Sequence, residues 1–160
     1  MRTAVCPGSF DPITVGHLDL VERAAAIFDQ VIVCVMVNSE KKHMFSLEER
    51  LELAREAVSH LPNVQAAACG GLLADFAGEH GAQALIKGAR TGADFDWELQ
   101  MAQINRELRP ELDTVIFPAR PEHLHISSTM AREMIHHHQR LEGCIPSGAL
   151  AVLRARERKV

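Results

Sequence analysis

The sequence predicts an α/β fold in which five parallel strands form a doubly wound sheet with helices on both faces and further helices at the C-terminal end. Two observations carry this expectation. Short apolar runs alternate with segments of helical period along the whole chain, and the clearest run, QVIVCVMV at residues 30–37, is apolar on both faces. A strand with one solvated face alternates polar and apolar side chains, whereas a strand covered on both faces by helices does not. The expected architecture is therefore Rossmann-like, one domain over residues 1–160, with no repeat, low-complexity segment or long linker to divide it.

The elements follow in order. Thr3 to Cys6 is a short apolar strand, and residues 16–28 place Leu18, Val21, Ala25 and Phe28 at helical spacing. Gln30–Val37 is the second strand. Ser46-Leu-Glu-Glu49 is a capping box, with the serine and the glutamate three residues on able to satisfy each other's backbone N–H; it opens a helix running to Ser59. Asn63–Ala68 is a third strand, Leu72–Glu79 a short helix, Ala84–Lys87 a fourth strand, Asp94–Leu108 a long helix and Thr114–Phe117 a fifth strand. A polar stretch leads from Pro118 to His125. Helices are expected over Ser128–His138 and from Pro146, suited to a first helical turn, to Arg156.

Composition narrows the function classes. The chain is 47% hydrophobic and 24% charged, with a net charge of −4, and lacks the basic excess of a general nucleic-acid or membrane-surface binder. A local basic pocket for a phosphorylated small molecule remains compatible with it. Cys6, Cys34, Cys69 and Cys144 lie far apart, in no CxxC or zinc-like spacing, and read as small buried hydrophobes of a reducing compartment. No apolar run reaches the ~18–20 residues of a membrane span, and the first residues do not read as a signal peptide, so the expected address is the cytosol.

In an open parallel sheet, ligands bind beyond the carboxyl ends of the strands, near the point where strand order reverses. The stretch CPGSFDPITVGHLDLV at residues 6–21 falls there. Gly8 allows close approach of the backbone, Ser9 offers a hydroxyl and an amide, Pro12 fixes the turn, and Gly16 leaves room beside the helix start where His17 lies. A histidine there can hydrogen-bond a phosphate oxygen; equally, the Gly and Pro residues could merely shape a βα turn. Downstream, HISSTMAR at 125–132 sets three hydroxyl residues at a helix start, an arrangement suited to polyphosphate oxygens and also to ordinary N-capping.

Together, PGSFDPITVGH and ISSTMAR resemble the paired HxGH-type and ISSTxxR-type motifs of the nucleotidyltransferase superfamily. Within it the chain is most similar to the phosphopantetheine adenylyltransferase family, whose TxGH form is matched by Thr14-Val15-Gly16-His17, and whose further segments resemble KKHMFSLEER, LIKGAR, DFDWELQMAQINREL and PEHLHISST in the same order. The resemblance implies transfer of the adenylyl group of ATP to 4′-phosphopantetheine, giving dephospho-coenzyme A and pyrophosphate, by direct attack without a covalent enzyme intermediate.

What the resemblance implies for residues is specific. His17 would stabilise the transition state at the α-phosphate, with Lys41 and Arg90 holding phosphates. Ser9 would contact the attacking phosphate and ATP, and Phe10 the nucleotide. Ser9, Lys41, Leu73 and Lys87 would bind the acceptor, although Lys87 stands where many relatives carry arginine, and an ammonium cannot reproduce a bidentate guanidinium fork. Gly88, Ala89, Arg90 and Glu98 would join the run His123, Leu124, His125, Ile126, Ser127, Ser128 and Thr129 around ATP. Mg2+ is expected to arrive with the ATP phosphates, since Asp94, Asp96 and Glu98 make no defensible metal set. The family also implies a homohexamer, with coenzyme A as a possible feedback inhibitor; the composition argues against nucleic-acid and membrane partners.

Other features read more plainly. His136, His137 and His138 point about 100° apart on a helix and are expected at the surface rather than on one ion. Met101, Ile104 and Leu108 at helical spacing are core or subunit contacts. The competing functions are another nucleotidyltransferase, using a different phosphorylated acceptor or CTP, and a non-catalytic nucleotide-binding module. A kinase is disfavoured by the lack of a GxxxxGK[ST] loop.

Overall fold

A computed structural model describes residues 1–158 of the chain. Five strands, β1 (Thr3–Gly8), β2 (Gln30–Met36), β3 (Val64–Cys69), β4 (Ala84–Ala89) and β5 (Asp113–Pro118), form one parallel sheet in the order β3-β2-β1-β4-β5. The helices are α1 (Val15–Ala25), α2 (Leu47–Ala57), α3 (Leu73–Glu79), α4 (Gly92–Leu108), α5 (Ser128–His136) and α6 (Ser147–Glu157), with a 3-10 turn at Pro121–His123. The predicted Rossmann-like α/β fold is the observed one.

Boundaries differ where local bonding decides them. Helix α1 ends at Ala25 rather than Phe28, because Ile27 and Phe28 both donate to the Ala24 carbonyl and Asp29 already donates to Arg2, turning the chain into β2. Pro146 precedes α6 as its N-cap, its carbonyl accepting from Leu150. The Ser46–Glu49 capping box forms as expected, with Glu49 N–H donating to Ser46 Oγ at 3.2 Å and Ser46 N–H to Glu49 Oε2 at 2.7 Å.

The strand registers locate the crevice. β1 stays paired with β2 through Gly8↔Val35, and β4 with β5 through Ala89↔Pro118. Between β1 and β4, however, pairing is confined to Ala4↔Ala84 and Val5↔Leu85, so the carboxyl ends of these strands part. That divergence is the topological switch point, where the crossovers leave in opposite directions.

Alternate residues of the central strands pack to opposite faces. Ala4, Cys6, Val31, Val33, Val35 and Ile86 join the larger core beneath α1, α2, α5 and α6, while Val5, Ile32, Cys34 and Leu85 face α3. At Gly148 an added Cβ would lie 2.3 Å from the Glu56 carbonyl oxygen, so glycine is what allows α6 to approach α2. The long helix α4 leaves Phe95, Leu99, Ile104 and Leu108 about half exposed. Among the described residues, no helix is long and apolar enough to cross a membrane.

Candidate active site

A cavity of about 430 Å³ opens at the divergence of β1 and β4. Its floor is strand ends, Cys6 and Pro7 from β1 and Ile86 to Ala89 from β4. The walls come from the start of α1 (Thr14, Gly16, His17), from α4 (Asp94, Trp97, Glu98) and from the segment entering α5 (His123, Ile126 and Ser127 to Thr129). Burial pushes the Cys6 thiol up to about 12, so the sulfur on this floor stays protonated and is no nucleophile.

His17 owes its state to a local device. Thr14 is the N-cap of α1 and His17 its third helical residue; His17 N–H donates to Thr14 Oγ1 at 3.4 Å, while Thr14 N–H donates to His17 Nδ1 at 3.0 Å. This is a capping box in which histidine replaces the usual Glu or Gln. A ring nitrogen that accepts a backbone N–H carries no proton, so the hydrogen of the neutral imidazole is on Nε2. Burial, with the Arg90 charge second, lowers the His17 pKa from 6.5 to about 4. At neutral pH the ring is therefore an uncharged donor of fixed tautomer.

The turn that delivers His17 is held from several sides. Phe10 adopts φ 48°, in the left-handed region, and its ring meets the His17 ring edge-on at 5.1 Å. Gly8 makes room for that ring: a Cβ there would sit 2.9 Å from Phe10 Cζ. Asp11–Pro12 is a cis peptide. Ser128 Oγ donates to the Pro12 carbonyl and Arg132 to the Asp11 carbonyl, both at 2.8 Å, so the start of α5 is fastened to the turn. Gly16 is different. A Cβ there would meet its nearest neighbours at 3.6 and 3.8 Å, ordinary contact, and the space it would fill belongs to the cavity.

The β4–α4 wall carries charge. Lys87 Nζ lies 3.2 Å from Glu98 Oε2, and Arg90 Nε 3.8 Å from Asp94 Oδ2; Arg90 also donates to the Ile126 carbonyl at 3.2 Å. The Lys87 approach is not aligned as a hydrogen bond, and that buried Glu98 oxygen has no other partner. A Cβ at Gly88 would lie 2.6 Å from Leu20 Cδ1 and push a cavity-lining side chain inward. Asp19 binds Arg120 at 2.8 Å and Arg23 at 3.2 Å, fixing a guanidinium at the cavity edge.

The sequence-predicted residues therefore divide. Phe10, His17, Lys87, Gly88, Ala89, Arg90, Glu98, His123, Ile126, Ser127, Ser128 and Thr129 line one cavity. Ser9, Lys41, Leu73, Leu124 and His125 do not: Ser9 turns its carbonyl to Arg50, Lys41 is exposed on the loop after β2, Leu73 packs beside the smaller core, and Leu124 and His125 are exposed. His136, His137 and His138 are exposed, and no three His, Cys, Asp or Glu side chains among the described residues group as a metal site. Sequence reasoning missed Asp19, Trp97 and Arg120 as lining residues, and missed the reciprocal role of Thr14, whose signal was a Thr-x-x-His spacing at a helix start.

A parallel sheet in this order, with its cavity at the switch point and a histidine in the first turn of α1, defines the nucleotidyltransferase class, and residues 5–134 match the family described as cytidylyltransferase-like. A solved structure from Vibrio parahaemolyticus, of a protein assigned as a nicotinate-nucleotide adenylyltransferase, shares the fold with a TM-score of 0.71 over 97% of this chain and 93% of its own, at 17% identity. The phosphopantetheine adenylyltransferase of Symbiobacterium thermophilum is 48% identical over 91% of this chain and 90% of its own length. That of Actinobacillus pleuropneumoniae is 46% identical over 97% and 98%. The chain belongs to the phosphopantetheine adenylyltransferases within the cytidylyltransferase-like family.

Proposed function

We propose that this chain transfers the adenylyl group of ATP to the phosphate of 4′-phosphopantetheine, releasing pyrophosphate and forming dephospho-coenzyme A. The observation that carries the reading is His17: a half-buried, neutral imidazole whose Nε2–H is set by the Thr14 backbone, in the cavity that also holds Lys87, Arg90 and the Ser127–Thr129 helix start. Phosphoryl chemistry of this kind needs positioning and charge stabilisation rather than a protein nucleophile. His17 donates to the α-phosphate as negative charge grows on its equatorial oxygens. Ser127 to Thr129, at the amino end of α5, and Arg90 receive the rest of the triphosphate. Lys87 meets the acceptor phosphate. Lys41 reaches the reacting phosphates from its loop, and Ser9 and Leu73 serve the acceptor.

Mg2+ travels with the triphosphate. The carboxylates on the cavity wall support this, since Asp19, Asp94 and Glu98 each already face a guanidinium or ammonium group. The half-exposed apolar residues of α4 support assembly into a homo-oligomer, a hexamer by family resemblance. Four buried thiols accord with a cytoplasmic address, and coenzyme A, which contains the product's framework, is a candidate inhibitor at the same cavity.

The test is pyrophosphate release from Mg-ATP with 4′-phosphopantetheine, pantetheine, nicotinate mononucleotide or no acceptor, with the nucleotide product weighed by mass spectrometry. Release with 4′-phosphopantetheine alone, and a product of dephospho-coenzyme A mass, is expected. Release with a different acceptor would reassign the substrate.

A further inference from the structure

The bonds around residues 9–11 reach well beyond the turn. Asp11 is 5% exposed, and its two carboxylate oxygens accept the backbone N–H groups of Met44 and Phe45, each at 2.9 Å. Two residues earlier, the Ser9 carbonyl accepts from Arg50 Nη1 at 2.7 Å, and the same nitrogen donates to the carbonyl of Met36, at the end of β2, at 3.0 Å. Met36 and Met44 are the two ends of the loop that carries Lys41. Both ends are thus fastened to the turn that leads into His17, whereas beyond Val37, which donates to the Cys69 carbonyl at 2.8 Å, the bonds within the loop are local, from Glu40 to the Asn38 side chain at 3.0 Å and from Lys41 to the Asn38 carbonyl at 3.3 Å.

We infer that Asp11 is a positioning residue for adenylyl transfer, its buried carboxylate setting where Lys41 stands relative to His17. The inference rests on the adenylyl-transfer reading above. Lys41 is three residues from Met44, a span of at most ~11 Å between Cα atoms, so the clasp at Met44 and Phe45 fixes the short arm on which the ammonium swings. A carboxylate is suited to this because it accepts two N–H groups at once. Asparagine offers one oxygen and sets an amide N–H2 against the other donor. A latch that served folding alone would be indifferent to the side chain its loop presents.

That difference makes the inference testable by a double-mutant cycle on kcat/KM with Asp11→Asn, Lys41→Ala and the pair, each checked for folding by thermal melting. Asp11→Asn is expected to lower kcat by about 10-fold to 100-fold, the cost of a displacement on the order of 1 Å, with KM for ATP changed by less than about threefold. Lys41→Ala is expected to cost at least about fivefold less in the Asp11→Asn background than in the wild type, because the arm is already misplaced. Losses that simply multiply, an Asp11→Asn enzyme with wild-type kcat, or a Lys41→Ala enzyme with wild-type kcat/KM would each overturn it. Should Asp11→Asn fail to fold, Arg50→Lys takes its place in the cycle and is read the same way. In the wild type, the Met44 and Phe45 amides are expected to exchange with solvent at least about 100-fold more slowly than those of Lys41 and Lys42, and equal rates would overturn the clasp. A wild type with no acceptor-dependent pyrophosphate release would overturn the adenylyl-transfer reading and this inference with it; multiplicative losses in an active wild type overturn this inference alone.

Discussion

The two walls of the cavity hold their polar side chains by different physics. On the α1 wall, His17 is neutral, and its ring is aimed by a main-chain donor inside a turn that is itself bonded to α2, α5 and the loop after β2. On the β4–α4 wall, Lys87 and Arg90 are charged, and each is held by one carboxylate of α4 at 3.2 and 3.8 Å. A donor fixed by buried neutral hydrogen bonds is oriented before any ligand arrives, which is what stabilisation of a developing charge requires. The exposed Arg90–Asp94 pair contributes only about 0–1 kcal/mol and can trade its carboxylate for a phosphate at little cost, whereas the more buried Lys87 would keep Glu98 and add a phosphate to it. On the proposed reading, catalysis belongs to the first wall and anion capture to the second.

Removing the aimed donor should have the largest effect. His17→Ala is expected to lower kcat by the order of 10²–10³ while leaving the ATP dissociation constant within a few-fold, as measured by single-turnover kinetics and calorimetry. Loss of ATP affinity with kcat preserved would move His17 from the chemical step to ground-state binding and dissolve the contrast between the walls.

Next in size is a pH effect on stability. With His17 held at about 4 in the folded chain against 6.5 ordinarily, the unfolded chain binds a proton that the folded chain refuses between those values. The stability tied to this group is complete above about pH 6.5 and is lost as pH falls toward 4, by at most about 3 kcal/mol, since one edge of the ring still meets the cavity. Melting of wild type and His17→Gln at pH 7 and pH 5 isolates the term. The variant should gain on the wild type at pH 5, and an unchanged gap would mean that His17 titrates as a solvated histidine. The cap has a smaller effect. Thr14→Ala should cost about 1 kcal/mol of stability and less than tenfold in kcat, because the main-chain N–H that sets the tautomer remains.

These walls were unequally legible in the sequence. The QVIVCVMV run and the Ser46–Glu49 box are local signals, and both elements formed as read. The glycines, His17 and the Ser127–Thr129 cluster were recognisable because a βα turn and a helix start each write their chemistry into a few consecutive residues. Arg50 reaching Ser9, Arg132 reaching Asp11 and Ser128 reaching Pro12 span 41, 121 and 116 residues, and no periodicity encodes such a pairing. Asp19 with Arg120 failed for the same reason. Each reads alone as a solvated charge, and only the packing of α1 beside the end of β5 makes them a pair.

The smallest expected effect tests the second wall most directly. Lys87 faces Glu98 across 3.2 Å as an ion pair without an aligned hydrogen bond, and its ammonium acts as a compact point charge. Lys87→Arg would replace this with a planar fork, one edge of which can keep Glu98 while the other meets two oxygens of a phosphate together. The expected result is a KM for 4′-phosphopantetheine lowered by about two- to fivefold with kcat nearly unchanged, as a ground-state contact requires. Pantetheine without its phosphate should bind both forms alike. If the substitution instead lowers kcat and leaves the acceptor KM alone, Lys87 acts at the reacting centre, and the β4–α4 wall shares the catalytic role assigned to the α1 wall.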